Sequence, residues 1–79
     1  MIDDESLTAL IRVSLPDAQI QIVDTTGTRD HFRVRIRSDH FSGKSLLDQH
    51  RMVYRAVQTA RDDGRIHALE LRTEPLTPR

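Results

Sequence analysis

Four histidines carry most of the chemistry this chain could do: His31, His40, His50 and His67, in 79 residues that contain no cysteine. Imidazole is a borderline-soft ligand suited to zinc, copper or iron. With no thiol, the chain alone can build neither a disulfide nor a cysteine metal site. His67 follows Ile66 and precedes Ala68-Leu69, an isolated imidazole at the entrance of an apolar segment. His31 likewise opens the segment Phe32-Arg33-Val34. Two imidazoles are too few for a closed structural site, so a metal centre built on them takes its other ligands from elsewhere, in the first place from another protein. Each histidine also has a plainer reading. His50 falls in the apolar seam of a helix and reads as a packed, hydrogen-bonded core residue, and His40 in a turn reads as a surface residue. His31 reads equally as a polar strand-entry residue.

Other chemistries find little support. Gly27, Gly43 and Gly64 are too far apart to form a phosphate-cradling loop. Serines are present, but no Ser-His-Asp grouping is indicated by spacing, and so short a chain offers little concavity for catalysis. An enzyme is not expected.

The elements that must position these residues can be read from periodicity. Residues Asp4 to Ser14 place Leu7, Leu10, Ile11 and Val13 at helical spacing, with acids at the start and Pro16 as the stop. Gln19 to Asp24 alternate as a half-buried strand, and Thr25-Thr26-Gly27-Thr28 is a turn. His31 to Ser38 alternate strictly, Phe32, Val34 and Ile36 against Arg33, Arg35 and Arg37. After the turn Phe41-Ser42-Gly43-Lys44, Ser45 caps a helix that runs to about Arg61. Its expected seam is Leu46, His50, Val53, Val57 and Ala60, widened by Leu47 and Tyr54. Gly64 ends it, and Ile66 to Thr73 form a last strand with Leu69 and Leu71 inward.

The order is α-β-β-α-β: a hairpin, then a helical crossover that returns the chain parallel. The expected fold class is α+β, a three-stranded mixed sheet with both helices on one face and the arginine row on the open face. It forms a single domain over residues 1–79, with an ordered core of about 4–73 and a flexible tail at 74–79. This topology makes the main prediction. If the second and third strands are parallel, their N-terminal ends share one edge, and His31 and His67 both sit beside the Asp24–Asp30 loop. Strand parity works against their meeting, since His31 shares the arginine face and His67 the leucine face.

Net charge is zero, which disfavours a generic, strongly basic nucleic-acid binder. The charge is nevertheless uneven: −3 over residues 1–29, +4 over 30–61 and −1 over the remainder. A basic middle suits an acidic partner or a phosphate backbone as well as a merely solvated face. The acidic N-terminus lacks the apolar run of a secretory signal, and no segment reaches membrane-spanning length, so a cytoplasmic location is expected.

At these residues the chain resembles the BolA family of small bacterial and eukaryotic proteins. The resemblance rests on His31-Phe32-Arg33-Val34, Phe41-x-Gly43, Leu46-Leu47-x-x-His50-Arg51-x-Val53-Tyr54, Ile66-His67-Ala68-Leu69 and Thr77-Pro78. Each piece is common, but their order and spacing are specific. The resemblance implies a core like the type II KH fold without its glycine loop, in agreement with the order read above. It further implies a partner, a monothiol glutaredoxin, with which the chain shares a bridged 2Fe–2S cluster for iron–sulfur trafficking or iron sensing. The partner's cysteine and a bound glutathione supply thiolates, the histidine of the Ile-His-Ala element, here His67, supplies an imidazole, and a second ligand often comes from the loop between the first two strands. In this chain that loop, Thr25–Asp30, has neither cysteine nor histidine, so the second ligand stays open; His31 is a candidate substitute, although its position before Phe32 is commonly histidine in the family. The resemblance also implies a short helix beyond Thr77-Pro78, past the last residue of this sequence. No cofactor is expected in the isolated chain, a monomer or weak dimer, and Lys44, Arg51, Arg55 and Arg65 are the expected partner-binding cations.

An alternative from another class is a nucleic-acid-binding transcriptional regulator using Arg33, Arg35, Arg37 and the basic helix. Against it, the only aromatics, Phe32, Phe41 and Tyr54, fall at buried positions and offer no stacking platform. A third reading is a metal-free adaptor for an acidic surface, in which Arg51 and Arg55 matter more than His67.

Overall fold

The computed structural model describes residues 1–77. Its elements are α1 (Asp4–Ser14), β1 (Gln19–Asp24), β2 (His31–Arg37), a 3-10 turn (Asp39–Phe41), α2 (Leu46–Ala56), α3 (Gln58–Asp62) and β3 (Ala68–Glu74). The Asp3 carboxylate accepts the Ser6 N–H at 2.7 Å, satisfying one of the donors a helix start leaves open, and Asp4 and Glu5 complement the dipole of α1. Leu7 and Ile11 are its buried stripe, while Val13, expected beside them, lies outside it and is exposed.

The sheet has the order β1-β2-β3, with β1 and β2 antiparallel and β2 and β3 parallel. His31 lies opposite Ala68, Arg33 opposite Glu70 and Arg37 opposite Glu74. The alternation of β2 is realised as expected: Phe32, Val34 and Ile36 are buried, and the arginines face outward. This is the α+β, three-stranded mixed sheet that the sequence pattern calls for. The core closes between that inner face and Leu7, Ile11, Val53, Val57 and Phe41. By the 25 cal/mol per Å² rule, burying each of these large side chains contributes about 1.5–3 kcal/mol.

The expected long helix differs in two ways. It breaks at Val57, whose backbone (φ −104, ψ 11) leaves helical values, although Val57 and Arg61 N–H still reach the Val53 and Val57 carbonyls at 3.1 Å. The buried stripe survives the break through Val53, Val57 and Ala60. Its start is also phased differently. Gln49, not Leu46 or His50, is the buried residue of the first turns, and Leu46 and Leu47 are each 60% exposed. The buried Gln49 side-chain nitrogen donates to the Lys44 carbonyl at 3.0 Å and closes the preceding turn, while its Oε1 has no hydrogen-bond partner among the described residues. His50 is only half-buried, and its Nε2 has no hydrogen-bond partner among the described residues, unlike the bonded core residue expected.

The strand bounds shift as well. β2 stops at Arg37 rather than Ser38, and β3 begins at Ala68 and extends to Glu74. Residues 74–77, expected as part of a flexible tail, are tied down. Glu74 pairs with Arg35 at 2.6 Å, and the Thr77 N–H donates to Asp39 Oδ1 at 3.0 Å. The rest of that expected tail, 78–79, lies outside the described residues.

Candidate metal centre

The loop between β1 and β2 is built around one carboxylate. Asp24 accepts the N–H groups of Gly27 at 2.9 Å and Arg29 at 3.1 Å, which folds residues 24–29 back on themselves. The fold requires left-handed backbone at Gly27 (φ 77) and at Arg29 (φ 60). Arg29 is held there from both sides: its side chain pairs with Asp4, and its carbonyl accepts the Ile2 N–H at 3.0 Å. The loop therefore delivers Asp30 and His31 to the rim in a fixed position.

The other half of the rim arrives through the crossover. Gly64 turns the chain out of α3 with φ 82, and Ile66 is buried as an anchor. The Asp30 carbonyl then accepts the N–H groups of His67 at 2.8 Å and Ala68 at 3.2 Å, fastening the entrance of β3 to that of β2. His67 itself precedes the strand, so parity does not govern its ring. The ring turns toward the loop, and the His31 and His67 centroids lie 5.9 Å apart, edge to face.

Asp30 sits between the two rings. One carboxylate oxygen is 2.7 Å from His31 Nδ1 and the other 3.1 Å from His67 Nδ1, with the Thr28 hydroxyl also donating to it. The Thr28 hydroxyl first, and the His31 ring next, hold this carboxyl below the usual carboxylate range. An ionised carboxylate only accepts, so His31 Nδ1 carries the proton of its bond to Asp30, while His67 Nδ1 makes a close contact with the other oxygen. His67 Nε2 lies over Gly64, whose missing Cβ would sit 3.9 Å away. Asp30 is 17% exposed, His31 40% and His67 56%: an anchored base beneath two reachable rings.

The expected cations are not gathered at this rim. Lys44 stands before α2 at the other end of the sheet, separated from His67 by about 25 Å of helical path through α2 and α3. Arg51 is an exposed residue of α2 paired at 3.8 Å with Asp48, and Arg55 is exposed in its last turn. Arg65 stands two residues before His67, held by Asp63 at 2.9 Å. The Arg33, Arg35 and Arg37 row faces outward but is countered by β3: Arg33 pairs with Glu70 at 3.2 Å, and Glu74 takes Arg35 at 2.6 Å and Arg37 at 3.5 Å.

The family model described as BolA-like protein matches residues 8–78. The chain belongs to the BolA family. Protein BOLA2 of Arabidopsis thaliana is 32% identical over 73 residues, which span 91% of this chain and 76% of the relative. The DNA-binding transcriptional regulator BolA of Escherichia coli (strain K12) is 29% identical over 76 residues, 87% of this chain and 71% of that one. The solved structure of BolA1 from Arabidopsis thaliana superposes with a TM-score of 0.81 at 26% identity, over 98% of this chain and 100% of that chain. Within this BolA fold, three participants at the rim escaped the sequence reading: Asp30, Thr28 and the loop-organising Asp24. The only sequence signal for Asp30 is an acid directly before a strand-opening histidine.

Proposed function

We propose that the chain is a non-enzymatic adaptor that binds a monothiol glutaredoxin and shares with it a bridged 2Fe–2S cluster, for iron–sulfur trafficking or iron sensing. The observation that carries this reading is the rim: two reachable imidazoles held by one carboxylate in a chain without a thiol. The donor set fits a shared cluster and not a private one. A 2Fe–2S cluster takes four protein ligands, commonly thiolates, and imidazole can replace thiolate on one iron. This chain offers His67, with His31 beside it, and leaves the thiolates to the partner and its glutathione. Bound there, a cluster would supply electron-accepting, exchangeable iron with one protonable ligand side.

The chain's own residues contribute orientation. Asp30 lies behind both rings and orients that of His31 through a hydrogen bond, as a carboxylate behind a metal-binding histidine generally does. Gly64 keeps the space beside His67 Nε2 free of a side chain. Arg65, next to the rim, is the best placed of the expected cations for an acidic partner surface. The test is to combine the protein with a monothiol glutaredoxin, iron, sulfide and glutathione. Absorption and circular dichroism should depart from those of the glutaredoxin homodimer and revert with His67→Ala. Unchanged spectra with that variant remove the ligand assignment.

A nucleic-acid role is the second reading, drawn from the Escherichia coli relative, a DNA-binding transcriptional regulator. The pairing of Arg33, Arg35 and Arg37 with Glu70 and Glu74 weighs against the open face as its site. Phosphate contacts make binding strongly salt-dependent, so a DNA titration at low salt decides it.

A further inference from the structure

Asp30 stands in two relations to the rings. Behind Nε2 it orients them, but on the Nδ1 side it forms, with them, a constellation of its own. One ligand atom from each of Asp30, His31 and His67 lies within 4.8 Å of the others. His31 Nδ1 lies 2.7 Å from one oxygen of the carboxylate and His67 Nδ1 3.1 Å from the other. Zinc bonds of 2.0–2.2 Å in a tetrahedral site place ligand atoms about 3.3 Å apart. A small adjustment of the two rings therefore admits a cation between the three residues.

We propose that the isolated chain binds one divalent late transition metal of the zinc class through Asp30, His31 and His67, with solvent completing the shell. Two imidazoles and one carboxylate are the donor set of open zinc and non-haem iron sites, whereas calcium and magnesium prefer all-oxygen ligation. The frame is rigid before metal arrives. The Asp30 carbonyl fastens His67 and Ala68, the His31 carbonyl accepts the Thr25 N–H at 2.9 Å, and Thr28 steadies the carboxylate. A site held in this way loses little order on loading. When metal enters, each ring presents a nitrogen lone pair, His31 by moving its proton from Nδ1 to Nε2, while Asp30 changes from hydrogen-bond acceptor to ligand. This state rests on the same rim as the cluster reading, and the two exclude each other at His67.

The test uses the full chain alone, without glutaredoxin, sulfide or glutathione. Zinc is titrated against a chromophoric chelator, and histidine ring signals are followed by nitrogen-correlated NMR. One equivalent should bind, with shifts confined to the rings of His31 and His67. His67→Ala and Asp30→Asn should each weaken binding at least about tenfold, the scale on which even outer partners of metal ligands act. His40→Ala should leave it unchanged, and magnesium should not compete. Circular dichroism of each variant confirms that it is folded. Failure to bind one equivalent, or binding that Asp30→Asn leaves intact, overturns the proposal. The two readings fail separately. Zinc binding with no cluster-sharing complex removes the adaptor function and keeps this site, and cluster sharing without zinc binding does the reverse. Asp30→Asn should lose zinc yet retain cluster sharing, since its amide oxygen still accepts from a ring.

Discussion

The two ends of the sheet use the same chemical parts to opposite effect. At the rim, Asp30 sits beneath two rings that solvent can reach. At the far end, Asp17 accepts the Ser38 hydroxyl at 2.6 Å, the Asp39 N–H at 2.8 Å and a contact from His40 Nδ1 at 3.0 Å. Ser38 there is fully buried, and Asp39 in turn accepts from Thr77. The far-end carboxylate thus joins the segment before β1, the end of β2 and the segment after β3, so its partners are the backbone and a buried hydroxyl. The rim carboxylate holds side chains that have no other task in the fold. Carboxylate and imidazole do not by themselves mark a functional site. The accessibility of the imidazole and the absence of a structural load on the carboxylate do.

The contrast is sharpest in stability. Asp17→Ala takes the acceptor from the buried Ser38 hydroxyl, and leaving such a group unsatisfied costs about 1–3 kcal/mol. For a domain of this size each kcal/mol lowers the melting temperature by roughly 4–8 °C. Asp30→Ala removes no partner from a buried group and should cost less than about 1 kcal/mol. Thermal and urea melts of the two variants compare them directly, and equal losses would erase the distinction between the ends.

Next in size is the response to acid. The Ser38 hydroxyl first, with the Asp39 amide adding to it, lowers the Asp17 pKa, and the Arg35 guanidinium lowers that of Glu74. A carboxyl depressed in the folded state adds stability that is fully present above its ordinary value near 4. That stability is lost as pH falls through the lower folded value. The melting temperature should therefore be level from pH 7 to about 5 and decline below about 4, with a shallower decline in Asp17→Asn. A decline beginning near pH 6 instead would point to histidine as the titrating group.

The smallest effects belong to the surface. Arg35→Ala breaks an exposed ion pair with Glu74 and should cost about 0.2–1 kcal/mol. Leu46→Ser should change stability by no more than about 0.5 kcal/mol, while Val53→Ala, two positions further along the expected seam, should cost well over 1 kcal/mol. Equilibrium urea unfolding measures all three, and a costly Leu46→Ser would restore the seam expected from sequence.

That seam shows where sequence reading stops. Strict alternation made β2 legible, and with it the parallel return of β3, because period-two burial leaves one solution for each strand. The phase of α2 was not legible. Leu46 looks more apolar than Gln49, and only the Lys44 carbonyl, a backbone partner invisible in sequence, makes the glutamine the better buried residue. The meeting of His31 and His67 followed from topology alone, although parity argued against it, because the start of β3 could not be placed to the residue. Asp30 was missed because its importance comes from two rings, those of His31 and His67, that lie 36 residues apart in the chain, and from a loop folded by Asp24. The Asp17, Ser38 and His40 cluster stayed hidden for the same reason, and His40, expected as a bare surface residue, belongs to it.

The central claim is that the imidazole of His67 is a ligand presented to a partner's cluster. With histidine labelled by nitrogen-15 in this chain only, the reduced cluster complex with a monothiol glutaredoxin should show nitrogen hyperfine coupling in pulsed EPR. The account predicts that coupling in the wild-type chain and in His40→Ala, and its loss in His67→Ala. Coupling that persists in His67→Ala, or is absent from the wild-type complex, contradicts it.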